Sequence, residues 1–310
     1  MILAQMTRRG AAPLLLASAV LACAAGPTAA QQNSARVVCD GAPVQGGFLI
    51  CTAAATAAPP LAMNGGDPQD IEENGFAFFP IDRDATGMIE VRGHGLQPYT
   101  AEIGVREFDI QSLTLPPSEV APRTPEEQAK VAADSELKNR AWAHETRGAG
   151  WLDGFTYPLE KPGVTQSGVY GSQRILNGEP GNPHFGIDYA AATGDTIVAP
   201  AAGVVALADP DMYFEGGFVV LNHGAGVMSV FMHMSQVDVQ AGQRVSAGDR
   251  LGAVGDTGRA TGAHLHWGVR VRGIYVDPEL LMAFKPRESE SLMPASTGDA
   301  VTGQGQAGGD

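Results

Sequence analysis

The chain has 310 residues, a formal net charge of −14, a 44% hydrophobic fraction, 40 glycines and 21 prolines. Such acidity excludes partners gripped through lysine and arginine, nucleic acid and anionic membrane surfaces among them. The hydrophobic fraction permits a real core, the length accommodates two modest domains with accessory segments, and the glycine and proline content points to short strands and turns rather than long helices.

Residues 1–30 have the pattern of an export signal. Arg8 and Arg9 supply positive charge, Leu14–Leu21 a short apolar run, and Thr28–Ala29–Ala30 small residues for cleavage. The segment holds two arginines and no acidic residue, so a chain starting at Gln31 carries −16. The expected location is therefore periplasmic or extracellular. Leu21–Ala22–Cys23 offers a poorer alternative, a lipoprotein box, and the arginine pair a weak twin-arginine signal. No stretch reaches the ~18 uninterrupted apolar residues of a membrane-spanning helix. Beyond residue 30 only Cys39 and Cys51 remain, an even pair that suggests a disulfide in an oxidising compartment; two independent buried thiols are the alternative.

Residues 31–112 are expected to form a small antiparallel β-sandwich. Its strands are Arg36–Cys39, Gly47–Cys51, Phe76–Pro80, Ile89–Val91, Thr100–Ile103 and Glu107–Ile110, broken at Gly65–Gly66, Asp84–Ala85 and Gly93–His94–Gly95. His94, between glycines, reads as an exposed turn residue. A hinge and connector helix follow over 113–150. Thr124, Pro125 and Glu127 spell a capping box, and the helix is expected to run to Arg147. Its apolar residues, Val131, Leu137 and Trp142 with scattered alanines, suit a solvated connector packed along one narrow seam. His144–Glu145 lacks the second histidine of a zincin motif, since position 148 is Gly148.

Residues 151–285 read as all-β, with strands at Thr196–Ala199, Gly203–Ala208, Phe218–Asn222, Gly226–Met234 and Leu251–Val254. A further, final strand carries His264–Leu265–His266. With period two, His264, His266, Gly268 and Arg270 share one face, while Leu265, Trp267, Val269 and Val271 form an apolar face that anchors it. The two imidazoles lie roughly 6.6 Å apart at Cα. Residues 286–310 are polar, aperiodic and expected to be disordered.

Five of the seven histidines fall within residues 184–266. His184 and Asp188 can share a face of His184–Phe185–Gly186–Ile187–Asp188. Fully extended they stand ~13 Å apart, and Gly186 between them permits the bend or close approach that unites them. With one imidazole from the His-Leu-His strand they give two histidines and a carboxylate, and three protein ligands is the catalytic rather than the structural zinc count. His233 shares a strand face with Ser229 and Phe231, opposite Met228, Val230, Met232 and Met234. His223 reads as a hairpin turn residue. Gly255, Gly258 and Gly262 lack the Lys-Ser/Thr and the following helix of a phosphate loop, so a loop shaping a cleft is expected.

The order His184–Phe185–Gly186–Ile187–Asp188, Phe231–Met232–His233–Met234–Ser235, Thr261–Gly262–Ala263–His264–Leu265–His266 resembles the LytM/lysostaphin-type zinc endopeptidases of peptidoglycan. The resemblance spans about Gly168 to Leu281, and Gly168–Arg174 is similar to the segment before the first ligand in exported proteobacterial members. It implies zinc (Zn2+) held by His184, Asp188 and His266, with His233 and His264 as catalytic non-ligands. It also implies a groove-bearing antiparallel β peptidase domain of barrel-sandwich hybrid type. Ala263 departs from the family, which has proline there; this loosens the turn and removes no chemistry.

With an acidified zinc water, His264 is expected to act as base and His233 as stabiliser. The implied function is an exported endopeptidase cutting peptide cross-links between peptidoglycan stem peptides. The alternatives are a non-catalytic activator or binding module for a cell-wall amidase, and a zinc carboxypeptidase trimming stem-peptide ends. The N-terminal region, 31–147, is expected to occlude the groove.

Overall fold

The computed structural model describes residues 35–54, 58–71, 75–114, 123–144 and 150–284. The export signal with Cys23, the hinge prolines 116–122, Glu145 to Gly148 and the tail 286–310 lie outside the described residues. The described chain is β-rich with two helices. Among its helices none is long and apolar enough to cross a membrane.

The amino-terminal part makes two three-stranded antiparallel sheets. One contains β1 (Arg36–Ala42), β2 (Phe48–Ala54) and β4 (Ala77–Pro80); the other contains β3 (Leu61–Met63), β5 (Met88–Gly93) and β6 (Tyr99–Glu102). Leu49, Cys51, Ala77 and Phe79 of the first sheet and Leu61, Ile89 and Val91 of the second bury one shared core. Cys39 and Cys51 face each other across β1 and β2 and are bonded as a disulfide. His94 is an exposed turn residue.

The alternate residues of β2 and β4 point the other way. Phe48, Ile50 and Phe78 join a second core that includes Trp151, Ile187 and Trp267. The sheet β1–β2–β4 is thus buried on both faces, which explains the unbroken apolar runs in its strands. The strand expected at Glu107–Ile110 is displaced: β7 spans Ile110–Leu113 and pairs in parallel with β9 (Gln173–Leu176), which pairs in turn with β10 (Glu179–Pro180). Phe108, placed inside the expected strand, instead lies beneath the guanidinium of Arg83 and edge-on to Tyr170.

Helix α1 spans Pro125–Trp142 and ends five residues before Arg147, capped by Ala143. Its start follows the capping box. Thr124 Oγ1 accepts from Glu127 N–H at 3.2 Å, and Glu127 Oε2 accepts from Thr124 N–H at 2.8 Å. Only Asp134 and Ala141 are fully buried, so the helix packs along a narrow seam.

An eight-stranded antiparallel sheet forms the scaffold of the remaining chain. Its order is β17 (Arg244–Val245), β13 (Gly203–Met212), β14 (Gly216–Gly224), β15 (Val227–Met234), β19 (Leu265–Val271), β11 (Ile187–Tyr189) and β8 (Gln166–Gly168), with β20 (Ile274–Val276) also on β19. A small sheet of β12 (Thr196–Val198), β18 (Arg250–Ala253) and β16 (Gln236–Val237) accompanies it. Leu265, Trp267, Val269 and Val271 are completely buried in the main core, the face that period two assigns them. One element was absent from the expected all-β stretch. The short helix α2 (Pro278–Ala283) starts at Asp277, whose carboxylate accepts from Glu279 N–H, with Pro278 in the first turn. That Asp-Pro start is a helix signal in sequence.

Candidate metal centre

Three side chains from two segments distant in sequence meet on one side of the large sheet. Asp188 on β11 stands opposite His266 on β19 in the strand register. His184 precedes β11, in a loop tied down by Gly171 N–H to His184 O at 2.8 Å and His184 N–H to Ser172 O at 2.9 Å. The 13 Å separation of an extended strand is removed by this bend. Nε2 of His184 lies 3.0 Å from Asp188 Oδ1 and 3.0 Å from His266 Nδ1, and His266 Nδ1 lies 2.8 Å from Asp188 Oδ1.

Two glycines make this convergence possible. A β-carbon on Gly186 would come within 2.6 Å of Trp267 O and 2.7 Å of the His266 ring. One on Gly168 would stand 2.4 Å from Asp188 Oδ2. Gly168 pairs directly with Asp188 in the sheet, and composition alone gives it no chemical role. His184 is 2% exposed, and its Nδ1–H donates to Val169 O at 2.9 Å, which fixes the tautomer and leaves Nε2 as the donor atom for a cation.

Two further imidazoles flank the cluster. His264 donates Nδ1–H to Gly262 O at 2.8 Å and holds Nε2 3.9 Å from Asp188 Oδ1. His233 donates Nδ1–H to Thr257 O at 2.9 Å, and its ring centroid lies 4.7 Å from that of His264. The face expected for His233 is overturned. Its φ is +64°, in the left-handed region, and β15 shifts register against β14 between Gly217 and Val219. Consequently Met234 joins Phe231 in the main core, while His233 lines the groove with Met232. Strict alternation would have buried His233 beside Phe231.

The backbone of His233 is held from outside. Its N–H donates to Glu215 O at 2.8 Å. Loop 213–215 is in turn gripped by α1: Asp134 Oδ2 accepts from Tyr213 N–H at 2.8 Å, Glu127 Oε1 accepts from Tyr213 O–H at 3.0 Å, and Lys138 pairs with Glu215. Thr257 is a second brace. Its hydroxyl donates to Met234 O at 2.8 Å and accepts from Gly217 N–H at 2.9 Å. Backbone acceptors and braces of this kind carry no sequence pattern.

Burial shapes the charges. Burial alone would raise Asp188, but the imidazoles of His184 and His266 beside it outweigh burial and hold the carboxyl below the usual carboxylate range. Burial pushes His266 down, and it brings His233 to about 4. A carboxylate with neutral imidazoles is the protonation state a cation requires.

The remaining histidines stand apart. His223 is not a turn residue but a buried one near the end of β14, with Nδ1 bonded to Ala202 O and Nε2 paired with Ser229 Oγ, both at 2.8 Å. His144 lies just beyond α1, and its carbonyl accepts from Asn222 Nδ2 at 2.6 Å. The cluster opens into a groove of about 570 Å³, whose walls include Gln111, Arg174, Met232, Arg259, His264 and Tyr275.

Residues 182–278 match the model of Peptidase family M23. The chain is 34% identical over 134 residues to a metalloprotease of Haemophilus influenzae, covering 43% of this chain and 28% of that protein. It is 42% identical over 91 residues to the peptidoglycan DD-endopeptidase ShyA of Vibrio cholerae, covering 29% and 21% of the two chains. A DD-carboxypeptidase/endopeptidase of Neisseria meningitidis is 40% identical over 98 residues, 31% of this chain and 22% of that one. The chain thus spans between a fifth and about three tenths of the length of these curated relatives. A crystal structure of a peptidase M23 protein from Pseudomonas aeruginosa superposes with a TM-score of 0.57 at 30% identity, covering 78% of this chain and 96% of that one. That near-complete coverage of a 30% identical relative, with the matching family model over the cluster, establishes that the chain belongs to peptidase family M23.

Proposed function

We propose that this chain is an exported, zinc-dependent endopeptidase that hydrolyses peptide cross-links of peptidoglycan. One observation carries the reading: the donor atoms of His184, Asp188 and His266 lie 2.8–3.0 Å apart in a glycine-lined cradle. Neighbouring ligand atoms of a tetrahedral zinc at its usual bond lengths are roughly 3.3 Å apart, so only a small expansion separates this cluster from a ligand set. Two imidazoles and one carboxylate suit zinc over magnesium or calcium. Three protein donors is the catalytic count.

His184, Asp188 and His266 would hold the ion, which when bound acidifies water and polarises the scissile carbonyl. His264 takes the water's proton at Nε2, the nitrogen its bond to Gly262 leaves as acceptor, and returns it to the departing amine. His233 is pinned the same way, so in its neutral form it accepts from the attacking water at Nε2. The attacking water's second proton, received at that Nε2, would make it the stabilising donor to the oxyanion, and that proton would pass on to the amine as the intermediate collapses.

Peptidoglycan as substrate rests on the relatives' names and on the export pattern of residues 1–30, which would bring the protein to the periplasm or cell exterior. We further propose that the N-terminal region limits access to the groove, because Gln111 of β7 stands in its wall. Deleting residues 31–147 would strip Phe48 and Phe78 from the core around Trp151, so Gln111→Ala is the cleaner variant. A raised rate on small peptides supports restriction, and an unchanged rate argues against it.

The decisive experiment is mass spectrometry of products from defined crosslinked muropeptides. Zinc-loaded protein is expected to split the cross-link, to stop on chelation and to resume when zinc returns. Full activity in His184→Ala would overturn the reading. A non-catalytic amidase activator would purify without stoichiometric zinc, whereas a carboxypeptidase would release only terminal residues.

A further inference from the structure

The groove of this strongly acidic chain is walled by two arginines. Arg174 comes from β9 and Arg259 from the loop that follows Thr257. Neither guanidinium is hydrogen-bonded to a carboxylate among the described residues. Arg174 Nη2 stands 3.7 Å from Asp188 Oδ2, beyond hydrogen-bond range, and the other oxygen of Asp188 is already shared by two imidazoles. Its Nε donates to an uncharged partner, Gln111 Oε1, at 3.3 Å. No carboxylate pairs with Arg259 among the described residues.

Arg259 is nevertheless held in place. Its backbone N–H donates to Phe214 O at 2.9 Å, and its guanidinium lies 4.4 Å from the centre of the Phe214 ring. Gln111 and the Phe214 ring thus position two cations in one cavity, Arg174 with only a long ion pair to Asp188 and Arg259 with no carboxylate partner among the described residues. Like charges facing one cavity repel. An anion in the groove would relieve that repulsion, and the planar guanidinium fork matches a carboxylate in particular.

We infer that Arg174 and Arg259 together receive a free carboxylate of the substrate peptide, close to the bond that is cut. Closeness follows from Arg174, which stands beside Asp188 of the three-donor cluster. The inference rests on the peptidase reading only in taking the ligand to be a peptide. Each residue also has a simpler role, Arg174 as a counter-charge to Asp188 and Arg259 as a clamp on Phe214. Neither role makes the groove distinguish a carboxylate from its amide.

Two fluorescein-labelled branched peptides test this, identical except that the residue supplying the amine of the cross-link carries either a free carboxylate or a carboxamide. Binding is read by fluorescence anisotropy on the zinc-loaded full chain carrying His264→Ala to prevent turnover. The carboxylate peptide is expected to bind about tenfold tighter or more, with the preference shrinking as salt rises. Arg259→Gln and Arg174→Gln should each bring the ratio toward one, while Arg259→Lys retains part of it. Equal binding of the two peptides, or a ratio that both glutamine variants leave intact, overturns the inference. Should Arg174→Gln fail to fold, the exposed position 259 decides the matter. Hydrolysis by the unsubstituted protein separates the two readings. If neither peptide is cut, the peptidase reading fails and the binding ratio still judges the arginines. If both are cut and bound equally, only the arginine inference fails.

Discussion

Gly186 lies so close to His266 that a β-carbon on it would stand 2.7 Å from Cε1 and 2.8 Å from Nε2 of that imidazole. The same carbon would meet Trp267 O at 2.6 Å, so it could not turn away from the ring without moving β19. Gly186→Ala should therefore displace His266 Nδ1 from its place beside Asp188. Zinc affinity, measured by competition with a chromogenic chelator, is expected to fall roughly 10- to 100-fold, the usual consequence of disturbing the support of a metal ligand. Circular dichroism should still report the β-rich fold. Unaltered affinity would show that the glycine is not needed for the cluster.

Lys138 and Glu215 connect α1 to the same site from the opposite direction. Glu215 has little exposure, its Oε2 has no hydrogen-bond partner among the described residues, and its carbonyl receives the His233 N–H. Removing the ammonium leaves a nearly buried carboxylate without its counter-charge, which costs on the order of 3 kcal/mol. Lys138→Met should lower stability by about that amount, and the paired variant Lys138→Met/Glu215→Gln should recover much of it. Urea unfolding of both variants checks this. If position 215 also positions His233, the hydrolysis rate falls in the single variant beyond the loss of folded protein, and the double variant restores it.

The contrast between His266 and His233 shows what the sequence could disclose. His266 follows from period two, because β19 buries Leu265, Trp267, Val269 and Val271 on one face and leaves the other for chemistry. His184 and Asp188 are legible as spacing, with Gly186 marking the close approach. His233 misleads, because alternation assumes extended backbone and this residue is left-handed with no glycine to announce it. Val169 O, Thr257 O and Gly262 O, which set the tautomers, are backbone atoms that any residue could supply. The double burial of β2 and β4 was written in Phe48–Cys51 and Ala77–Phe79, apolar at consecutive positions as a strand covered on both faces must be. Helix α2 was too short for periodicity to reveal, although Asp277–Pro278 announces its start.

Cys39 and Cys51 are opposite partners in β1 and β2, twelve residues apart in sequence, and Cys51 is completely buried. The bridge closes a short loop of the unfolded chain, a constraint of about 3 kcal/mol. Replacing both cysteines with alanine should lower the unfolding free energy by that order, and reductant should destabilise the unsubstituted protein while leaving the variant unmoved. Equal denaturation curves with and without reductant would show that the bridge contributes nothing.

His223 gives the fold a pH dependence remote from the cluster. The imidazole is enclosed by Phe155 and bonded to Ala202 O and Ser229 Oγ, and burial brings it down to about 4. An unfolded histidine titrates near ~6.5, so between these values the unfolded chain binds a proton that the folded chain refuses. The contribution is complete above pH ~6.5 and is lost as pH falls toward 4, amounting to roughly 3 kcal/mol over the interval. Many carboxylates also titrate in acid, so a comparison with His223→Gln isolates the effect, glutamine having both a donor and an acceptor for the same two partners. The stability advantage of the unsubstituted protein over the variant, from urea unfolding at pH 7, 5.5 and 4, should shrink by about 3 kcal/mol across the series. An advantage that stays constant with pH would mean that His223 takes up its proton equally in both states, and that its burial is not what keeps it neutral.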